Sequence, residues 1–294
     1  MRQKSVLWVA LAATLWGTTG SVAFFLQPSF SPLAIGAATM GGGGLILAIL
    51  GGRATREVWR DASVRSALVM GSLGALVYSL AFYTGMAYAG ISLGNVLALG
   101  LGPLVAACAV WLFERNRPSP WWWGAVGGAL VGVGLMTSSE VTLGGDRAAN
   151  LPWGIAAALV AGVAYGIFTY ALSRILRAGH SPRASTGAMF GAASPLLLGV
   201  LFFAGPDVME GLTQAGPIAY LILGPMVISY LAIGRALRQL SASSVTLVSL
   251  LEPVVATVLA FSLVGERVGL AGWWGITLVV CSLSLVSLGE RSKN

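Results

Sequence analysis

Apolar runs of bilayer length follow one another along this chain, separated by short links that hold most of its charges. An α-helix needs about 20 apolar residues to cross a hydrocarbon core. The pattern predicts ten such helices: Ser5–Leu26, Pro32–Leu50, Ser66–Ala89, Ser92–Phe113, Pro120–Met136, Leu151–Leu176, Ala184–Phe203, Gly216–Leu237, Ala242–Val264 and Val268–Leu288. The links leave no room for a soluble domain. The first run, within MRQKSVLWVALAATLWGTTG, is too long for the apolar region of a signal peptide, and many more runs follow it. It is expected to be the first membrane helix of an all-α membrane protein.

Composition agrees. Hydrophobic residues make up 56% of the chain and charged residues 9%, against roughly 25% charged in a soluble domain. The net charge of +7 does not indicate a nucleic-acid partner, because the basic residues fall between apolar runs and form no single patch. Cys108 and Cys281 lie inside apolar runs and are expected to be buried small residues, not a disulfide or a metal pair. The runs contain one carboxylate, no histidine, no HExxH, no GxSxG and no Asp-rich motif. An enzyme needs a nucleophile with its base, a metal cluster or paired carboxylates, so neither catalysis nor a cofactor is expected.

Orientation follows from Lys and Arg, which concentrate on the cytoplasmic side. The N-terminus, the links after the second, fourth, sixth and eighth runs, and the C-terminus hold fifteen of the seventeen basic residues. The opposite links hold only Arg147 and Arg267. This split predicts both termini in the cytoplasm. Trp121, Trp122, Trp123, Trp153, Trp273 and Trp274 stand near run ends, where interfacial anchors belong. Gly124, Gly128 and Gly132 repeat every fourth position, as closely packed membrane helices require. His180, the single histidine, falls in a link beside Arg177 and Arg183 and reads as a solvated loop residue.

The chain also matches itself. A shift of 150 places Ser79 on Ser229, Pro103 on Pro253 and Ala106 on Ala256. Two more residues of shift place Glu114-Arg115 on Glu266-Arg267 and Trp121-Trp122 on Trp273-Trp274. A shift of 145 places Trp8 and Gly17 on Trp153 and Gly162. The unit is five helices, giving halves at residues 1–140 and 141–294. Five is odd, so the second half must enter the membrane from the opposite face. Inverted repeats of this kind belong to secondary transporters, whose site lies at the midplane between the halves.

One stretch stands out, ASSVTLVSLLEPVVATVLAFSLVGER, residues Ala242–Arg267. Glu252 lies near its middle; the other nine acids sit in or beside links. An ionisable group at membrane depth is costly and points to function. Pro253 follows it, lacks an N–H, and deprives the Ser249 carbonyl of its helical bond. Pro103 does the same to Leu99 in the first half, where Gly102 replaces the acid. Two roles for Glu252 stay open: binding a proton or a substrate ammonium group, or capping backbone groups loosened by Pro253.

The stretch LLEPVVATVLAFSLVGER, its first-half counterpart LGPLVAACAVWLFER, and LWVALAATLWG in the first run resemble the drug/metabolite transporter superfamily, EamA type, over essentially the whole chain. The closest look is to YddG-like amino-acid exporters. The resemblance implies an exporter of small metabolites in the bacterial inner membrane, amino acids first and aromatic ones among them. A drug, a nucleoside or a sugar-type metabolite is the alternative cargo, and a passive channel the rival mechanism. It implies a cavity lined by helices one, three, four, six, eight and nine, the others being peripheral. Small solutes and the bilayer are the expected partners; protons and a monomeric state are compatible with the sequence.

A pocket for a small solute needs apolar walls and a few polar groups. The candidates are Trp16, Thr18, Tyr78, Phe82, Asn95, Leu99 through its carbonyl, Tyr165, Ser229, Tyr230, Ser244 and Ser249, with Glu252, Pro253 and Pro103 in coupling or gating. Each has a plain alternative: aromatic residues pack, and a membrane asparagine bonds a neighbouring helix.

Overall fold

A computed structural model of the chain describes residues 2–26, 30–138, 147–205, 213–259 and 269–291. The end of the predicted ninth run, with Glu266 and Arg267, lies outside the described residues, as does Lys293. Among the described residues all regular structure is helical: α1 Arg2–Gly17, α2 Thr19–Leu26, α3 Pro32–Gly36, α4 Gly43–Arg60, α5 Arg65–Ala89, α6 Ile91–Glu114 and α7 Pro120–Ser138. Then come α8 Arg147–Arg177, α9 Pro182–Ala204, α10 Ala215–Leu221, α11 Ser229–Ala236, α12 Ala242–Val248, α13 Leu251–Leu259 and α14 Leu270–Arg291. Two wider π-helical segments, Ala37–Gly42 and Ile222–Ile228, join α3 to α4 and α10 to α11.

Eight of the resulting continuous helices are long and apolar enough to cross a membrane, and a shorter apolar helix covers Leu270–Leu283. The predicted fifth run is helical as well, but its three tryptophans and five glycines dilute its hydropathy.

Local chemistry sets the helix starts. Ser31, Ser181 and Ser119 each precede a proline and accept a hydrogen bond from the amide three residues on, those of Ala34, Ala184 and Trp122, at 3.2, 3.3 and 3.2 Å. A serine cap pairs a free amide, and the proline that follows has none to leave unpaired. Gly90, at φ 90°, lets α5 turn into α6 without a loop, a backbone conformation that other residues rarely adopt.

The helices pair through backbone contacts. The most extensive partners are α5 with α8, α4 with α9, α7 with α14 and α6 with α8, while α1 lies against α11 and α13. A Cβ on Gly44 would stand 2.6 Å from the Phe190 carbonyl, one on Gly85 would stand 2.9 Å from the Ala158 amide, and one on Gly132 would stand 2.7 Å from the Gly275 carbonyl. These glycines let whole helices touch. Gly128 packs on Ser282 in the same way, whereas Gly124 faces open space.

Outward positions are apolar. Trp121, Trp123, Trp153, Trp273 and Trp274 are all exposed; Trp122 is buried. Cys108 and Cys281 are free, but exposed and not buried as expected, since both sit on outward helix faces. The links carry two ion pairs. Arg177 reaches Glu114 at 2.5 Å and His180 reaches Asp61 at 2.8 Å. His180 is therefore not a simply solvated loop residue. Hydrogen bonds from Ser63, then the contact with His180, lower the Asp61 carboxyl to about 2.

The close contacts make a pair of substitutions informative. Gly44→Leu must push α4 off the Phe190 carbonyl, and overpacking of this kind costs about 1–3 kcal/mol. A lower thermal midpoint in detergent is expected. Gly134→Ala meets nothing within 4 Å and is expected to leave the midpoint unchanged.

Candidate functional site

The helix that carries Glu252 is broken beside it. α12 ends at Val248, and α13 begins at Leu251. Pro253 cannot donate to the Ser249 carbonyl, so the chain tightens and the Glu252 amide donates to that carbonyl at 2.9 Å. The freed carbonyl is satisfied within its own turn and needs no ligand. The break leaves Glu252 in the first turn of α13, only 4% exposed.

Its side chain lines a narrow cavity of about 40 Å³ that is partly open to the surroundings. Trp16, Tyr78, Phe82, Tyr83 and Tyr230 form the aromatic wall. Tyr78 stacks on Phe82 with centroids 5.1 Å apart, and Trp16 meets Tyr230 at 5.4 Å. A second layer of rings holds these in place: Tyr165 lies 5.8 Å from Tyr78, and Phe190 lies 4.3 Å from Tyr230.

The two π segments face one another and, with Thr19 and Ser79, supply the rest of the lining. Thr39 and Met40 come from the first, Pro225 and Met226 from the second. Pro225 cannot take its place in a regular bonding ladder, and the helix widens around it. The Pro225 carbonyl then accepts the Trp16 indole N–H at 2.7 Å. Ser229 donates its hydroxyl to the Gly224 carbonyl at 3.2 Å. Widened turns of this kind recur at functional sites.

Polar groups around the cavity divide into two sets. Ser79 gives its hydroxyl to the Leu76 carbonyl, and Trp16 gives its N–H to Pro225. Thr19, lining the cavity, has a buried hydroxyl with no hydrogen-bond partner among the described residues, while the Thr39 hydroxyl, also in the lining, lies against the Tyr83 hydroxyl. Asn95 interacts with the Glu252 carboxyl group, yet its Oδ1 atom has no hydrogen-bond partner. No basic side chain pairs with Glu252 among the described residues; the ion pairs there are Arg177–Glu114 and His180–Asp61.

Comparisons with known proteins bear on this arrangement. The sequence profile of the EamA-like transporter family matches residues 3–138 and again residues 152–288. The chain belongs to the EamA-like transporter family. It is thus a membrane transporter, and small solutes are the cargo its family and cavity support. It is 29% identical to the "Uncharacterized transporter YwfM" of Bacillus subtilis (strain 168), over 98% of this chain and 95% of that protein. It is 25% identical to the "Uncharacterized inner membrane transporter YicL" of Salmonella typhimurium, over 99% and 97%. The "Uncharacterized inner membrane transporter YedA" of Escherichia coli (strain K12) is 27% identical over 64% of this chain and 59% of its own length. A solved structure covers the whole of both chains at TM-score 0.78 with 19% identity, which shows the fold alone.

In this EamA-like transporter five of the expected residues meet in one place: Trp16, Tyr78, Phe82, Tyr230 and Glu252. Tyr165 stands in the second ring layer, and Asn95 beside the carboxyl group. Others do not line the cavity. Thr18 bonds the Leu15 carbonyl and shares a hydrogen bond with Tyr220 at 2.7 Å, while its neighbour Thr19 faces inward. Ser229 is spent on Gly224, Ser244 takes a bond from Ser241 at 2.9 Å, and Ser249 donates to the Val245 carbonyl. Leu99 is buried in the core, and the Pro103 helix runs on without a break.

The expectation that the second helix is peripheral fails, because its π segment brings Thr39 and Met40 to the cavity. The fourth and sixth helices stand behind the wall instead of forming it. Pro225 is the signal in the sequence for the second π segment: a proline inside an apolar run, around which the helix widens.

Gly102 explains why the first half has no acid. A Cβ there would run into the Tyr165 ring. The position matching Glu252 is the space that Tyr165 fills.

The Trp16 anchor can be tested directly. Trp16→Phe keeps an aromatic ring but removes the N–H with the five-membered ring, stranding the Pro225 carbonyl and leaving a small void. An unpaired buried acceptor costs about 1–3 kcal/mol. A lower thermal midpoint in detergent is expected, with a larger loss of solute binding than of folded yield.

Proposed function

We propose that this protein exports small amine-bearing metabolites across the bacterial inner membrane by alternating access, amino acids with aromatic or apolar side chains among them. The observation that carries the reading is the cavity itself. It joins an aromatic wall to one buried carboxyl group that has no basic partner among the described residues. A carboxyl group so placed suits a solute ammonium group or a proton, and the rings suit an apolar body.

The helix pairing supports two inverted halves, residues 1–140 and 141–294, with ten spans in all. Exchanging the first five spans with the last five turns the third–sixth contact into the eighth–first, and the fourth–sixth contact into the ninth–first; all four occur. The second–seventh and fifth–tenth contacts map onto themselves. Ser31-Pro32 and Ser181-Pro182, at a shift of 150, start equivalent helices with the same cap. Gly17 packs against Val255, and Gly166 against Val105. This sets the first helix at a shift of 149, one turn from the alignment of Gly17 with Gly162. With both termini cytoplasmic, tags at either end are expected to stay inaccessible to protease added outside intact cells; cleavage of either one from outside would overturn this topology.

For Glu252, the backbone geometry favours direct participation. The Ser249 carbonyl loosened by Pro253 is taken by the Glu252 amide and not by its carboxyl group. Purified protein in liposomes, assayed with amino acids, amines, nucleosides and cationic drugs with and without a pH gradient, tests the reading. Saturable transport of an amine-bearing solute is expected. Glu252→Gln should fold normally, lose concentrative transport and lose its pH dependence. Near wild-type transport by Glu252→Gln, with Glu252→Leu losing thermal stability, would return Glu252 to a structural role. Transport that stays linear with concentration would point to a channel.

A further inference from the structure

The charges around the cavity narrow the solute further than the family does. We infer that, within the amine-exporter reading just given, the site selects monocationic amines that lack a free carboxylate over zwitterionic amino acids. A zwitterion is held best by two charged partners, with neutral hydrogen-bond donors the weaker substitute for one of them. The cavity offers one, Glu252, and among the described residues no lysine, arginine or histidine lines it. The second helix contributes Thr39 and Met40 to the lining, neither of them charged.

Uncharged donors do not fill the gap. The indole N–H of Trp16 and the hydroxyl of Ser79 are given to the Pro225 and Leu76 carbonyls. The amide of Glu252, at the start of α13, is given to Ser249. What remains is the buried hydroxyl of Thr19, the Thr39 hydroxyl beside Tyr83, the other tyrosine hydroxyls and the Asn95 side chain, which is already engaged with the Glu252 carboxyl group. Hydroxyls can accept from an ammonium group or donate to a carboxylate, but as neutral groups they do not cancel a second negative charge beside Glu252. Like charges confined at short range in a medium of low polarity repel strongly.

The aromatic wall acts in the same direction. Trp16, Tyr78, Phe82 and Tyr230 present rings around the acid, and ring faces attract cations and not anions. The arginines that lie over aromatic rings among the described residues are Arg117 on Trp111 and Arg235 on Trp8, and none of these four lines the cavity. The rings around Glu252 thus remain available to a solute.

Calorimetry on the full-length protein in lipid nanodiscs near neutral pH tests this, with phenethylamine, L-phenylalanine and 3-phenylpropionate as probes. The three share a ring and differ in their charged groups. Phenethylamine is expected to bind roughly tenfold or more tightly than phenylalanine, and phenylpropionate not measurably, with Glu252→Gln abolishing the preference. Phenylalanine binding as tightly as phenethylamine, or more so, would overturn the inference and leave the exporter reading intact. The same holds if none of the three binds while another solute shows saturable transport in liposomes. Absence of saturable transport for every solute in the liposome panel would instead defeat the exporter reading. If Glu252→Gln does not fold, the ranking of the three probes on the wild-type protein decides the matter alone.

Discussion

A helix in hydrocarbon cannot leave a backbone carbonyl unpaired, because no water is there to pair it. This chain places prolines inside its helices all the same, and the form of each repair shapes the site. At Pro253 the helix tightens, and the Glu252 amide takes the Ser249 carbonyl. At Pro225 the helix widens, and the Trp16 indole takes the proline's own carbonyl. One repair starts a new half-helix with the acid in its first turn. The other ties the first helix to the eighth and fixes a tryptophan over the cavity.

Close helix packing is the second determinant. Apolar helices gain nothing from leaving lipid for one another, so contact area and small residues decide which pairs form. Gly44, Gly85, Gly132 and Gly275 bring backbone against side chain or backbone at the main pairs. The same economy of space works inside the site. Gly102 yields its volume to the Tyr165 ring, which backs the cavity wall. The two aligned positions thus differ: an acid at Glu252, and at Gly102 a glycine covered by the Tyr165 ring.

The membrane helices were largely legible in the sequence, because hydropathy and helix length respond to the bilayer and not to particular neighbours. The apolar runs, the all-helical fold and the family followed from residues near one another in the chain. So did the choice of Glu252 as a candidate, since one carboxyl group at membrane depth is anomalous whatever surrounds it.

Which side chains face the cavity was decided by tertiary structure alone. Thr18 and Thr19 are adjacent and chemically alike, yet only Thr19 lines the cavity, because the rotation of the first helix is set by Gly17 against Val255. Ser79 and Ser229 align in the sequence, but the widened turn at Pro225 takes the Ser229 hydroxyl for its own backbone. Thr39 enters through a π segment that no hydrophobic period predicts. Sequence determined that an acid lies in the membrane beside a broken helix. The fold decided that aromatic rings and, among the described residues, no basic side chain meet it there, because partners that distant in the chain are brought together only by how the helices pack.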